Sequence, residues 1–131
     1  MIFLDTNIIS YYFNANENIK QKLLELIDND ENICTTVINV YEILKGLKWR
    51  NNKNIEDQFK EFLEDVSVFT IDSNVINIAS DIYSYLRKNG KTIGDADILI
   101  AAIVIKNDGV LVSNNTKHYE DIKQLKLTDW T

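Results

Sequence analysis

The chain has 131 residues, no proline, four glycines and one cysteine, and it carries a net charge of −6 from 20 acidic against 14 basic residues. That length suits one domain with a core of its own, without disulfides or a structural metal, and the unpaired Cys34, inside the apolar run Ile33 to Val37, excludes a disulfide framework and fits a reducing compartment. No run approaches transmembrane length, and an apolar strand directly after Met1 leaves no space for a leader, so the expectation is a soluble cytoplasmic protein with no membrane partner.

The apolar run Ile2, Phe3, Leu4 reads as a buried strand that ends in Asp5, Thr6, Asn7. An acid after a strand is ordinarily the N-cap of the next helix. It is also where open α/β sheets place ligands, outside the carboxyl ends of the strands. Ile8 to Phe13 reads as a short helix with Thr6 as its cap, and its Tyr11, Tyr12 and Phe13 either fill core or leave a face for a partner peptide. A second helix carries Ile19, Leu23, Leu26 and Ile27 on one face and closes at Asn29 and Asp30. Ile33 to Thr35 is a brief strand; Val37, Val40, Tyr41, Leu44 and Leu47 then mark a helix capped by Thr35 or Thr36, with Glu42 beside its apolar face.

Ile55, Phe59, Phe62 and Leu63 give another amphipathic helix, before a strand over Val66 to Ile71 and a long helix from Val75 to Leu86 capped by Asp72 or Ser73. Gly90, Lys91, Thr92 imitate the end of a phosphate-binding loop, but that motif needs a glycine where Tyr85 stands; a helix C-cap glycine is the better reading. Ile98 to Ile105, apolar on nearly every face, is a buried helix with Asp97 in its first turn. Asn107, Asp108, Gly109 turn into the strand Val110 to Val112, which ends at Ser113, Asn114, Asn115, and a short closing segment runs to Trp130. Strands separated by helices make this an α/β protein, a three-layer α/β/α sandwich around a mostly parallel sheet of four or five strands.

In that architecture Asp5 and Asn115 lie at strand ends on one rim, Asp97 at a helix N-terminus starting from it, and Glu42 within reach from the side. Each acid alone has an ordinary structural role. Together they repel unless a cation neutralises them or some of them take up protons. Oxygen donors without clustered His or Cys favour Mg²⁺ or Mn²⁺ over zinc. The acidic balance counts against nucleic acid on a simple tally. A knot of metal-holding acids, however, lowers net charge without deciding what binds beside it. Two basic runs, Lys45, Lys48, Arg50 and Lys53 and then Arg87, Lys88 and Lys91, are compatible with phosphate contact.

The strings FLDTN at Phe3 to Asn7, NVYEILKGL around Glu42 and DILIAA at Asp97 to Ala102 resemble the signature of PIN-domain ribonucleases. With LVSNNTKHY at Leu111 to Tyr119 and a closing LTDW, the chain is similar to the VapC-type toxins of toxin–antitoxin pairs along essentially its whole length. The resemblance implies a PIN-like fold and places Asp5, Glu42 and Asp97 as the acidic metal ligands, with Thr6 and Asn7 as the polar pair supporting them. The family's fourth acid corresponds to Asn115, whose amide oxygen can ligate or hold a metal-bound water but brings no charge for a second ion. Asp95 stands as a cap or an outer-shell acid. Also implied are Mg²⁺- or Mn²⁺-dependent hydrolysis of RNA to a 5′-phosphate and a 3′-hydroxyl, a homodimer, and a VapB-like antitoxin over the active-site groove. Two alternatives stay open: a PIN-like binding module that has lost turnover, and a PIN nuclease in RNA processing outside toxin–antitoxin pairs. No G-x-G-x-x-G follows the first strand, an aspartyl-phosphatase pattern would want an acid at Asn7, and His118, the only histidine, reads as exposed with no claim to catalysis.

Overall fold

A computed structural model describes residues 1–131. Five strands, β1 (Ile2–Leu4), β2 (Ile33–Thr36), β3 (Ser67–Phe69), β4 (Val110–Val112) and β5 (Lys126–Thr128), pair in parallel in the order β3-β2-β1-β4-β5. Seven helices fill the connections: α1 (Thr6–Phe13), α2 (Glu17–Asp28), α3 (Val37–Trp49), α4 (Lys53–Leu63), α5 (Ser73–Lys88), α6 (Asp95–Lys106) and α7 (Thr116–Tyr119). The sheet has the larger of the two expected strand numbers, because the closing segment pairs Val110 to Lys126 and Val112 to Thr128. No helix is long and apolar enough to cross a membrane.

β1 is the centre of the sheet, with Phe3 opposite Cys34 on one side and Leu111 on the other. Successive residues of a strand point to opposite faces, and the core divides accordingly. Phe3, Cys34 and Leu111 pack with Val75, Ala79, Ile82 and Leu86 of α5 and with the run Ile98 to Val104 of α6. Leu4, Ile33 and Val112 pack with Ile8, Ile9, Ile19, Leu23, Leu47 and Phe59 from α1 to α4. Burying each such side chain contributes about 1.5–3 kcal/mol. Tyr12 and Phe13 go to this second core, with ring centroids 5.3 and 5.5 Å from Phe62.

The capping residues follow local chemistry, with one correction. Asp5, not Thr6, caps α1: its backbone is extended and its carboxylate accepts the Thr6 N–H at 3.0 Å. Thr36 caps α3 and Asp72 caps α5, the latter also paired with Lys106. Gly90 follows α5 with φ of 69°, a left-handed conformation that favours glycine, as expected of a residue just past a helix end. Gly109 is required by space: a Cβ there would stand 2.6 Å from the buried Phe3 ring.

Candidate active site

Asp5 leaves the carboxyl end of β1 and is only 4% exposed. Its Oδ1 accepts from the Thr6 N–H at 3.0 Å and from Asn39 Nδ2 at 2.9 Å, and its Oδ2 from Ser113 Oγ at 2.7 Å. Tyr119 Oη lies 3.1 Å from the same Oδ2. These donors come from the first turn of α3, the end of β4 and α7, so one carboxylate fastens three separate stretches to the rim. All of them are neutral.

Tyr119 Oη is also 3.2 Å from Asp97 Oδ1. A phenol has one proton to donate, so it serves one acid at a time and turns a lone pair toward the other. Burial holds the Tyr119 phenol far above its usual pKa, and the negative charges of Asp5 and Asp97 push it further in the same direction. The hydroxyl therefore stays protonated as a fixed donor between two acids.

Glu42 faces the site from α3, its Oε1 accepting from Thr6 Oγ1 at 2.9 Å. Thr6 Oγ1 in turn accepts from Asn39 Nδ2 at 3.0 Å, and Asn39 Oδ1 accepts from Thr36 Oγ1 at 2.6 Å. Asp97, in the first turn of α6, is half-buried, and His118 lies beside it, with Nδ1 3.4 Å from Oδ2. Neither Asp5 nor Glu42 pairs with a lysine or arginine.

Asp5, Glu42, Asp97, Thr6, Asn7, Asn115 and His118 line one open cavity of about 500 Å³. Asn7 ties this rim together by accepting the Asn114 N–H at 3.3 Å, while the Asn115 N–H donates to Ser113 Oγ at 3.0 Å. Asp95 is exposed at the start of α6 and stays outside the cavity, so the structure draws in only one of the two neighbouring acids. The helix cap beside it is Gly94. Sequence reasoning missed Asn39, Ser113 and Tyr119 as holders of Asp5. All three carried a usable signal in lying inside strings that resemble the family, Asn39 in NVYEILKGL and Ser113 and Tyr119 in LVSNNTKHY.

Asp5, Glu42 and Asp97 are the side chains that could hold a metal ion. As they stand, no three acidic, histidine or cysteine side chains are grouped closely enough to enclose one. The donor set nevertheless fits a hard cation, because three carboxylates line one cavity with no lysine or arginine in its wall, and Tyr119 cannot satisfy both of its acids. The sequence from residue 2 to residue 123 matches the PIN domain family model. The chain belongs to the PIN-domain family. Among its relatives, Ribonuclease VapC1 of Methanocaldococcus jannaschii is 32% identical over 126 residues, covering 96% of this chain and 84% of that protein. The tRNA(fMet)-specific endonuclease VapC of Shigella flexneri is 24% identical over 133 residues, covering 98% and 96%. In shape, this PIN domain is similar to VapBC2 from Rickettsia felis, solved bound to a DNA fragment from its promoter, with a TM-score of 0.89, 26% identity and full coverage of both chains.

Proposed function

We propose that this chain is the endoribonuclease toxin of a toxin–antitoxin pair, hydrolysing RNA phosphodiester bonds with Mg²⁺ or Mn²⁺ held by Asp5, Glu42 and Asp97. The observation that carries the reading is the set of three carboxylates converging on one open cavity without a lysine or arginine to balance them. When bound, the ion would activate the attacking water and offset charge on the phosphoryl oxygens. Asp5 is held in one orientation by Thr6, Asn39 and Ser113. Thr6 keeps Glu42 turned toward the cavity, and Tyr119 positions Asp5 and Asp97 against each other. Asn7 and Asn115 supply neutral oxygens at the rim, the kind of outer support that orients ligands and water.

A VapB-like antitoxin, a homodimer and a cytoplasmic location belong to the same reading. They are supported by the VapC names of the relatives and the VapBC complexes of similar shape. Purified protein is expected to cleave total RNA when Mg²⁺ or Mn²⁺ is supplied and to stop when EDTA is added. Cleavage indifferent to EDTA would remove the metal, and no cleavage of any RNA would leave a binding module.

A further inference from the structure

The sequence places four basic residues, Lys45, Lys48, Arg50 and Lys53, in one run, and the structure separates them into two kinds. Lys48 and Lys53 are spent on Glu56, at 3.2 and 3.5 Å. Lys45 and Arg50 have no acidic partner. Both are exposed, Lys45 on α3, the helix that carries Glu42, and Arg50 as the C-cap of that helix. Arg50 is two helical turns beyond Glu42, roughly 12 Å along the axis. Its guanidinium lies back over Gly46, 3.5 Å from where a Cβ would stand. It lines a second cavity, of about 550 Å³, whose wall also includes Thr6 and Glu42. That cavity adjoins the acidic one, the two sharing Thr6, Ser10, Asn14 and Glu42 in their walls.

Next to these cations stand the two most exposed aromatics of the helix, Trp49 at 87% and Tyr41 at 63%. Lys45 Nζ sits 5.1 Å from the Tyr41 ring centroid. On a 3.6-residue helix, Lys45 and Trp49 are one turn apart on the side that Glu42 faces. In a chain of net charge −6 these are free cations beside uncovered aromatic rings: Arg50 stands in a cavity wall that also includes Glu42, and Lys45 and Trp49 stand on the surface on the Glu42 side of α3.

We propose that Lys45, Trp49 and Arg50 form a substrate-positioning track for single-stranded segments of RNA, Arg50 and Lys45 taking backbone phosphates and Trp49 stacking on a base. The track rests on the ribonuclease reading and adds to it the residues that bring the strand to the acids. Cationic grooves with stacking rings are the common physical means of holding single-stranded nucleic acid. Arginine and lysine beyond the acids can hold phosphates on either side of the scissile one, where the acids alone would repel the backbone.

The test is steady-state cleavage and equilibrium binding of bulk transfer RNA by the wild-type protein, Lys45→Ala/Arg50→Ala, Trp49→Ala and Trp49→Phe. None of these side chains holds another element of the fold. The double variant is expected to raise KM and Kd roughly tenfold or more at unchanged kcat, and to flatten the log–log salt dependence of Kd by roughly 1.5. Trp49→Ala is expected to weaken binding roughly tenfold with little change in that salt slope, and Trp49→Phe to recover most of the loss. Unchanged Kd and salt slope in the double variant would overturn the track, and would reassign the face to protein docking if a protein partner were lost instead. A wild-type protein that does not bind RNA overturns it as well. Wild-type binding with the expected variant losses but no cleavage would sink the ribonuclease reading and leave the track standing.

Discussion

Two buried acids in this protein, Asp5 at 4% exposure and Glu56 at 5%, are treated in opposite ways. Glu56 in α4 is surrounded by cations, with Lys60, Lys48 and Lys53 at 2.9, 3.2 and 3.5 Å from one oxygen. Hydrogen bonds from Lys60 and Lys48 hold its carboxyl down to a pKa of about 2. Asp5 is held as tightly, but wholly by neutral donors from Thr6, Asn39, Ser113 and Tyr119. A buried charge is usually paired when its task is structural. Neutral donors fix the geometry of Asp5 and leave its charge available, which is what a ligand or reactive group needs. On the proposed reading, the contrast separates the acid that fastens α3 to α4 from the acid that would take a cation.

The largest expected effect comes from removing the available charge. Asp5→Asn should abolish RNA cleavage while the circular dichroism spectrum and cooperative unfolding remain, because the Ser113 and Tyr119 hydroxyls can turn to accept from the new amide. A variant cleaving at the wild-type rate would make Asp5 another Glu56. Tyr119→Phe should come next: it takes the shared donor from Asp5 and Asp97 and should lower kcat roughly ten- to hundredfold, in the range seen when outer-shell partners of metal ligands are lost. KM should barely move, and a shift confined to KM would place Tyr119 in substrate binding. The smallest effect belongs to Glu56→Gln, which should leave cleavage at neutral pH unchanged. Because folding lowers this carboxyl from 4.5 to about 2, its stabilising contribution is present above about pH 4.5 and fades as pH falls toward 2. Acid titration of unfolding should therefore show wild type and variant converging over that window; a constant gap would mean that the pairing is not the source.

The reading from sequence carried far for elements with strong periodicity. The buried α6 shows itself through its unbroken apolar run from Ile98, and Asp97 through its place in the first turn before that run. β1 and Asp5 show themselves because an apolar triplet stops abruptly at an acid. β5 is harder to see, since Lys126, Leu127 and Thr128 offer only three residues of alternation, and it exists because β4 supplies a ladder for it. β3 is shorter than its apolar neighbourhood suggests, covering only Ser67–Phe69 because the Val66 N–H is taken up by the turn after α4. Asn39 looks like any polar residue near a helix start. Its role depends on Asp5, which is brought beside it only when β1 and β2 pair. Tyr119 is likewise an ordinary aromatic in a four-residue helix until the fold sets it between two acids.

The central position of β1 has a consequence for the order in which the protein is made. Asp5 is fastened by Ser113 and Tyr119, which lie 108 and 114 residues further along the chain. Synthesis delivers the N-terminal residues first. A growing chain thus holds Asp5, Glu42 and Asp97, with Thr6 and Asn39 beside Asp5, before Ser113 and Tyr119 exist to complete its support and before β4 has come to close the sheet beside it. If the chain cuts RNA, the message being translated is the RNA nearest to it. Topology would then delay completion of the site until β4 and α7 have been made, when little of the chain remains to be translated.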